Sequence, residues 1–598
     1  MRPTQRRGSD LKSEHRLSAQ LMCLLRALRV SPQRFKLATM AAALVLVVVA
    51  NTFGQIKLNA WHGSFFDALE RRSISALGDQ LIVFLFIVAI LLFLVVVQTW
   101  LQEIIKTRLR EWLTHDLVDQ WLKPKRVHRL ADMGETGANP DQYIQADARQ
   151  LAELSASLAC GLFQSSLLLI SFVGVLWVLS NQVVFTYGDA SFTIPGYMVW
   201  CALAYALAGS CLTWLVGRPL IKLNAERYAR EADLRFAIVH INESAEAIAM
   251  HGGEMGERRI MNAPIANVVR LGCQLANGLA RLTWVSSGYG WLALIVPILV
   301  AAPGFFGGSL TLGGLMMVAG AFNQVQSSLR WFVDNFAGIA DWRATLLRVT
   351  RFRNGLLQLD WNGEEANRIA LALHPKGKLR FENLSILMSD GRAVLDTSLA
   401  EIDFGERVLI AGPPGSGKCR LLRAAAGLSL AGSGLILLPD AKDTMFVPPR
   451  PYLPLGMLRS VITYPAQAGS FDDSAVHAAL ERVGLARLVG RLDGKERWDR
   501  ILSAGEQQRL ALARLLVHRP QWIFFEDILS TIGEDDSQLM RSIFARELAA
   551  STVIGIGSTP SLNGFYHRTI KLRRLAGQDP ESIKLPVSWP LPQLQAAE

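Results

Sequence analysis

Two stretches in the second half of the chain have residue types and spacing suited to chemistry. The first is Gly412-Pro413-Pro414-Gly415-Ser416-Gly417-Lys418-Cys419, which follows the apolar run ERVLIAG and precedes the helical pattern CRLLRAAAGL. A strand, a glycine-rich loop and a helix in that order are what a phosphate-binding loop requires. Gly412, Gly415 and Gly417 let backbone N–H groups close on phosphate oxygens, and Lys418 reaches the terminal phosphates. Cys419 stands where a Ser or Thr hydroxyl would bind Mg²⁺, and a soft thiol is a poor ligand for that hard cation. Taken alone, the loop is also compatible with a chance glycine-rich turn. The second stretch, ILSAGEQQRLALARLLVHRP, leads at once into the hydrophobic strand pattern QWIFFED. A capped surface helix is the plainer reading of its start, but it does not explain the fixed order of loop, helix and strand.

These stretches need a soluble scaffold, and the pattern supplies one from Lys378 onward. Short strand-like runs, LRFENLSIL and then ERVLIAG, open it. Ahead of them a polar stretch with WNGEEANR and HPKGK reads as a linker. The expected organisation is a cytoplasmic segment 1–36, a transmembrane domain 37–350, a linker 351–377, a nucleotide-binding domain 378–575 and a tail 576–598.

The first half is of another kind. Hydrophobic residues make up 51% of the chain and charged residues 19%, too apolar a balance for a purely soluble protein. Six uncharged runs of about 20 residues, the length that crosses a bilayer core, lie at 37–56, 81–100, 158–180, 194–216, 282–306 and 310–329. The sixth is rich in Gly, Ser and Gln, which survive in lipid only against other helices or a cavity. It either lines a pathway or packs closely through its small residues. Lys and Arg fill segments 1–36, 102–157, 218–281 and 330 onward and are missing from 181–193 and 307–309. By the positive-inside rule, both termini and the soluble domain are expected in the cytoplasm of a multi-pass cell-membrane protein. The same distribution accounts for the net charge of +11 without nucleic acid, which is not expected as a partner. The six cysteines lack metal or redox spacing and read as free thiols. The basic N-terminal stretch precedes a retained first span rather than a cleaved signal, because no small-residue cleavage site follows it.

Beyond these local signals, WHGSFFDALE, GANPDQYIQADARQLAE, SFVGVLWVLS, GRPLIKLNAERYAREADLRF, ESAEAIAMHGGE and RPYLPLGMLR resemble bacterial ABC half-transporters. The membrane domain is similar to that of the SbmA/BacA peptide importers and, more distantly, of the peroxisomal acyl-CoA transporters. The resemblance implies a membrane all-α domain of six transmembrane helices, of ABC-exporter type, joined to an α/β P-loop ABC nucleotide-binding domain and working as a dimer. It places Asn139 to Arg149 and Asn242 to Glu254 near the cassette interface, and gives Glu243 and Glu246 to a motif of the second loop, where solvated helix charges are the alternative. It implies ATP and Mg²⁺ as cofactors, and makes Leu502, Ser503, Ala504, Gly505, Glu506 and Gln507 the signature that caps a nucleotide on the partner cassette.

Against that family pattern the cassette departs at the positions serving its own site. Pro449 replaces the Q-loop glutamine and offers no side-chain donor or acceptor. The Walker B pair appears reversed as Glu526, on the metal side, and Asp527, at the catalytic base. Ser558 stands at the switch histidine, and Gly533 replaces an aspartate after Walker B. Leu387 and Met388 occupy the region of the adenine contact. The reading is an ABC half-transporter for a peptide-like or other amphipathic or hydrophilic solute. It binds ATP, has a degenerate ATPase of its own, and pairs with a second half as homodimer or heterodimer in the lipid membrane. One alternative is a proton-driven SbmA/BacA-like transporter, although the six spans hold no Asp, Glu, Lys, Arg or His. The other is a regulatory membrane protein that transports nothing.

Overall fold

The computed structural model describes residues 17–131, 139–359 and 368–575, apart from short segments at 184, 188–189, 193, 389–390, 527–533 and 558–563. The chain forms two compact units. One holds the described residues of 17–120 and 139–354, and the other holds 121–131 with 355–575.

The first unit is helical. After α1 (Leu17–Val30) come α2 (Arg34–Glu70), α3 (Ile74–Trp121), α4 (Ala148–Ser180), α5 (Tyr197–Glu243), α6 (Glu254–Phe306), α7 (Leu312–Asp334) and α8 (Phe336–Gln358). A π-helical turn, Gln142–Asp147, leads into α4. Among the described residues, five helices, α2 to α6, are long and apolar enough to cross a membrane. Most of them run well past the predicted spans, because polar helical sequence such as KTRLREWL continues the same hydrogen-bond ladder into water.

The sixth expected span, α7, falls below that apolar standard, and its packing explains why. Leu315, Val318, Ala321, Phe322 and Val325 are buried in one cluster with Leu168, Phe172 and Leu176 of α4 and Met198 and Ala202 of α5. A helix enclosed by protein rather than lipid can carry Gly, Asn and Gln. Close approach is enforced at Gly313, where an added Cβ would lie 2.1 Å from the Gly63 carbonyl.

The amino end of α7 is held across the domain. The first helical N–H groups have no partner within a helix, and here each finds one. Leu312 N donates to Glu70 at 3.2 Å, Gly313 N to Asp67 at 3.0 Å, and Gly314 N to the Thr311 hydroxyl at 3.0 Å. The carboxylates of WHGSFFDALE thus act as a cap supplied by α2. Asp67→Ala is expected to lower stability by about 1 kcal/mol, the usual loss for a helix cap, read as a lower denaturation midpoint in detergent. An unchanged midpoint would show the cap to be idle.

The second unit is built on a ten-stranded mixed sheet. Its antiparallel part includes β1 (Leu379–Met388), and the rest is parallel: β2 (Arg407–Ala411) enters the loop that opens α9 (Lys418–Ala425), followed by β3 (Thr444–Val447). Then α10 (Ala504–His518) runs into β4 (Trp522–Glu526), β5 (Thr552–Gly557) and β6 (Arg568–Leu575). The parallel order is β6-β2-β5-β4-β3. Continuous apolar runs such as VLI, WIFF and TVIGIG belong in such strands, which are buried on both faces. Two cores result: β2, β4, β5 and α9 share one, while α10 sits in the other.

Residues 121–131 group with this unit although helices of the first unit flank them. Arg126 and Leu130 of the short helix Arg126–Ala131 are each only 1% exposed. The Lys125 ammonium lies directly over Gly427, just past the end of α9. The segment 139–149 belongs to the helical unit. Its Asp147 is 2% exposed and takes two bonds from Arg348 of α8, at 2.8 and 2.9 Å.

Candidate functional site

The phosphate-loop residues come together at the carboxyl ends of the parallel strands, where open α/β sheets place their ligands. Gly412 follows β2, and Lys418 is the first residue of α9. Neither Gly412 nor Gly417 tolerates a side chain. A Cβ on Gly412 would lie 2.5 Å from Ser416 Oγ and 2.8 Å from the Leu572 carbonyl. Gly417 has φ +90° and would press its Cβ on Met388 Sδ at 2.9 Å. Lys418 Nζ donates to the carbonyls of Gly412 and, at 3.2 Å, of Pro413. Ser416 is 1% exposed and its hydroxyl has no partner among the described residues. Met388 is thereby committed to the core beneath Gly417, leaving half-buried Leu387 as the apolar residue beside the loop. Arg420 donates to the Leu387 carbonyl at 2.7 Å.

Glu526 ends β4, two strands from the loop, and its carboxylate charge acts on the Cys419 thiol. Partial burial, and then that carboxylate, push the thiol above its ordinary range, while Arg423 opposes the shift. The thiol therefore stays protonated and weakly nucleophilic near neutral pH. Glu526→Gln is expected to speed alkylation of Cys419 several-fold at pH 8, since losing the charge favours the thiolate. Maleimide labelling of a protein with Cys419 as its sole cysteine reads this, and an equal rate would show that the charge does not act on the thiol. Asp527, Gly533 and Ser558 lie outside the described residues. Pro449 follows β3, half-buried, without a polar side-chain atom.

The signature residues stand elsewhere, at the head of α10. Leu502 is buried, and Ser503 is the N-cap. Its hydroxyl accepts from Glu506 N while the Glu506 carboxylate accepts from Ser503 N at 2.9 Å, a reciprocal capping box. Ala504 and Gly505 form the first turn. Gln507 donates to the carbonyls of Asp499 and Leu502 at 3.0 and 2.9 Å, fixing the approach to the helix. The Arg487 guanidinium, then the Ser503 N–H, hold Glu506 below the usual carboxylate range.

The nucleotide and the metal fit this site unequally. Loop glycines, the head of α9 and Lys418 suit a triphosphate. For Mg²⁺ the donors among the described residues are a neutral thiol and one carboxylate, and no group of three or more His, Cys, Asp or Glu able to hold a metal occurs among them. That set does not suit a hard cation.

The helical unit also holds uncharged polar groups inside its apolar spans. Asn51 donates to Gln98 at 3.0 Å, and Gln98 to Gln164 at 2.8 Å, linking α2, α3 and α4, while the Asn51 oxygen is buried without a partner among the described residues. Their signal was present as isolated amides inside apolar runs. Tyr205 and Tyr289 stack 4.2 Å apart, each donating to the other's backbone carbonyl.

Comparison with known proteins joins the two halves. The ABC transporter transmembrane region 2 model matches residues 24–306, and the ABC transporter model matches 395–528. The chain is an ABC half-transporter, with membrane and ATP-binding regions fused. The half-transporter is 29% identical over 552 residues to the Escherichia coli inner membrane ABC transporter ATP-binding protein YddA, covering 91% of this chain and 96% of that one. It is 26% identical to the Arabidopsis thaliana ABC transporter D family member 2, chloroplastic, over 90% and 83% of the two chains. Its fold is that of a bacterial Atm1-family ABC exporter solved with ATP bound, at TM-score 0.71, 17% identity and coverage of 90% and 94%.

Proposed function

We propose that this half-transporter moves a peptide-like or other amphipathic or hydrophilic solute across the cell membrane, with a membrane domain of SbmA/BacA type spanning 37–350 and a cassette at 378–575. Both termini and the cassette face the cytoplasm. Gly412 to Lys418 hold ATP, while hydrolysis at the chain's own site is weak because Cys419, Pro449, Glu526, Asp527 and Ser558 depart from the usual machinery. Ser503 and Gly505 act on the nucleotide of a second half, identical or different.

One contrast carries this reading. The signature is a complete capped helix head, whereas the groups around the chain's own loop are a thiol, a proline and a lengthened carboxylate. Phosphoryl transfer depends on positioned charge, and a misplacement of about 1 Å costs on the order of 100-fold. The phosphate loop and the signature also root in separate cores, in keeping with service to two different nucleotides. Residues 121–131, carried by the membrane helices yet grouped with the cassette, suit the transmission of nucleotide state to the spans.

The proton-driven alternative needs a free acid at a span edge. Asp67 caps α7, Glu103 pairs with Lys106 at 2.7 Å, and Asp334 pairs with Arg330 at 3.1 Å. The deciding experiment measures Mg-ATP binding and turnover by the full chain in lipid nanodiscs. Binding with negligible turnover supports the proposal. Brisk turnover abolished by Asp527→Asn overturns it in favour of an ordinary ATP-driven homodimer.

A further inference from the structure

A cavity of about 100 Å³ lies in the helical unit where charged sequence gives way to apolar sequence, lined by Gln33, Lys36, Leu37, Met40, Arg108 and Glu111. Gln33 is the residue that opens α2, and Lys36, Leu37 and Met40 belong to the first two turns of that helix. Arg108 and Glu111 come from the polar continuation of α3. The seven residues from Gln33 to Met40 rise about 10 Å along the helix. The lining therefore passes from charged groups to buried Leu37 and half-buried Met40, at the start of the first apolar run. At the border of a bilayer, a basic pocket between helices with an apolar continuation suits a lipid headgroup.

Size and charge narrow the occupant. At roughly 30 Å³ per water the cavity has room for about three waters, enough for a phosphodiester and well under the roughly 300 Å³ at which pockets enclose whole small molecules. A transported solute does not fit, whereas a headgroup whose acyl chains stay in the bilayer does. Arg108 donates to Glu111 at 2.8 Å, a pair neutral as a whole, and the exposed Lys36 leaves one positive charge over. A phosphodiester brings one negative charge. The Gln33 Oε1 atom is buried with no partner among the described residues, and an amide oxygen accepts only from a donor. A headgroup with a hydroxyl supplies that donor. A choline headgroup has neither the net charge nor the hydroxyl.

We propose that this cavity binds the headgroup of an anionic, hydroxyl-bearing phospholipid, with the phosphate on Lys36 and Arg108 and a headgroup hydroxyl on Gln33. The acyl chains then follow the apolar run of α2 beyond Met40. The site belongs to the helical unit and does not depend on whether the cassette hydrolyses ATP.

The test is equilibrium binding of a fluorescent phosphatidylglycerol to the full chain in neutral detergent, against phosphatidylcholine carrying the same label. Phosphatidylglycerol is expected to bind about tenfold more tightly. Lys36→Gln, a change at an exposed position, is expected to weaken it roughly fivefold, the usual effect of one cation at a membrane surface, and to leave phosphatidylcholine unaffected. Lys36→Arg is expected to retain the native affinity. Gln33→Leu is expected to erase the preference for phosphatidylglycerol over phosphatidylmethanol, which has the charge without the hydroxyl, and Lys36→Gln decides alone if that variant does not fold. Equal affinity for the two native-headgroup lipids, or an unchanged affinity in Lys36→Gln, would overturn the inference. Inorganic phosphate displacing the label at matching concentration would assign the cavity to a free anion and overturn it as well.

Discussion

Replacing Lys418 by alanine is expected to weaken ATP binding about 100-fold, corresponding to about 2.7 kcal/mol, within the range of hydrogen bonds to charged groups. The ammonium is held against the carbonyls of Gly412 and Pro413, inside the turn that would surround the phosphates. Its loss removes charge without disturbing the glycines that shape the loop. Titration of the variant in nanodiscs, with circular dichroism to confirm folding, measures the effect. A loss under about threefold would mean that the phosphates are held elsewhere.

Arg348→Ala is expected to destabilise the helical unit by about 3 kcal/mol, because it strands a buried carboxylate. Asp147 is only 2% exposed and receives both of its guanidinium bonds from Arg348. Arg348 also bonds the Thr345 hydroxyl at 3.1 Å. Asp147→Asn should cost less, since a neutral amide tolerates burial better than an unpaired charge. Thermal unfolding in nanodiscs separates the two variants, and equal losses would indicate packing rather than charge as the cause.

Much of the architecture was legible in the residues. Apolar runs of bilayer length gave α2 to α6, and the order of strand, glycine loop and helix placed β2, Gly412 to Lys418 and α9. The fixed succession of LSAGEQ and WIFFE placed α10 and β4. What was not legible depends on partners distant in sequence. Nothing local shows that Asp67 and Glu70 serve a helix starting at Leu312, or that Asp147 of a motif expected near the cassette pairs with Arg348. The chemistry of Cys419 was legible as a poor ligand. The influence of the Glu526 charge on it was not, because β4 comes beside the loop only through the strand order of the folded sheet. Met388, read as a possible base contact, is held beneath Gly417 for the same reason.

The enclosure of α7 has a bearing on how the protein is made. A segment with its share of Gly, Asn and Gln gains little from lipid by itself, whereas the helices before it are apolar enough to partition one by one. Insertion of this helix is therefore expected to depend on the protein surface that α2, α4 and α5 offer. Synthesis order supplies that surface in time, and the Asp67 and Glu70 carboxylates then secure the newcomer's amino end. Errors in the assembly of the earlier helices would accordingly surface as failed insertion of the final one, immediately ahead of the cassette.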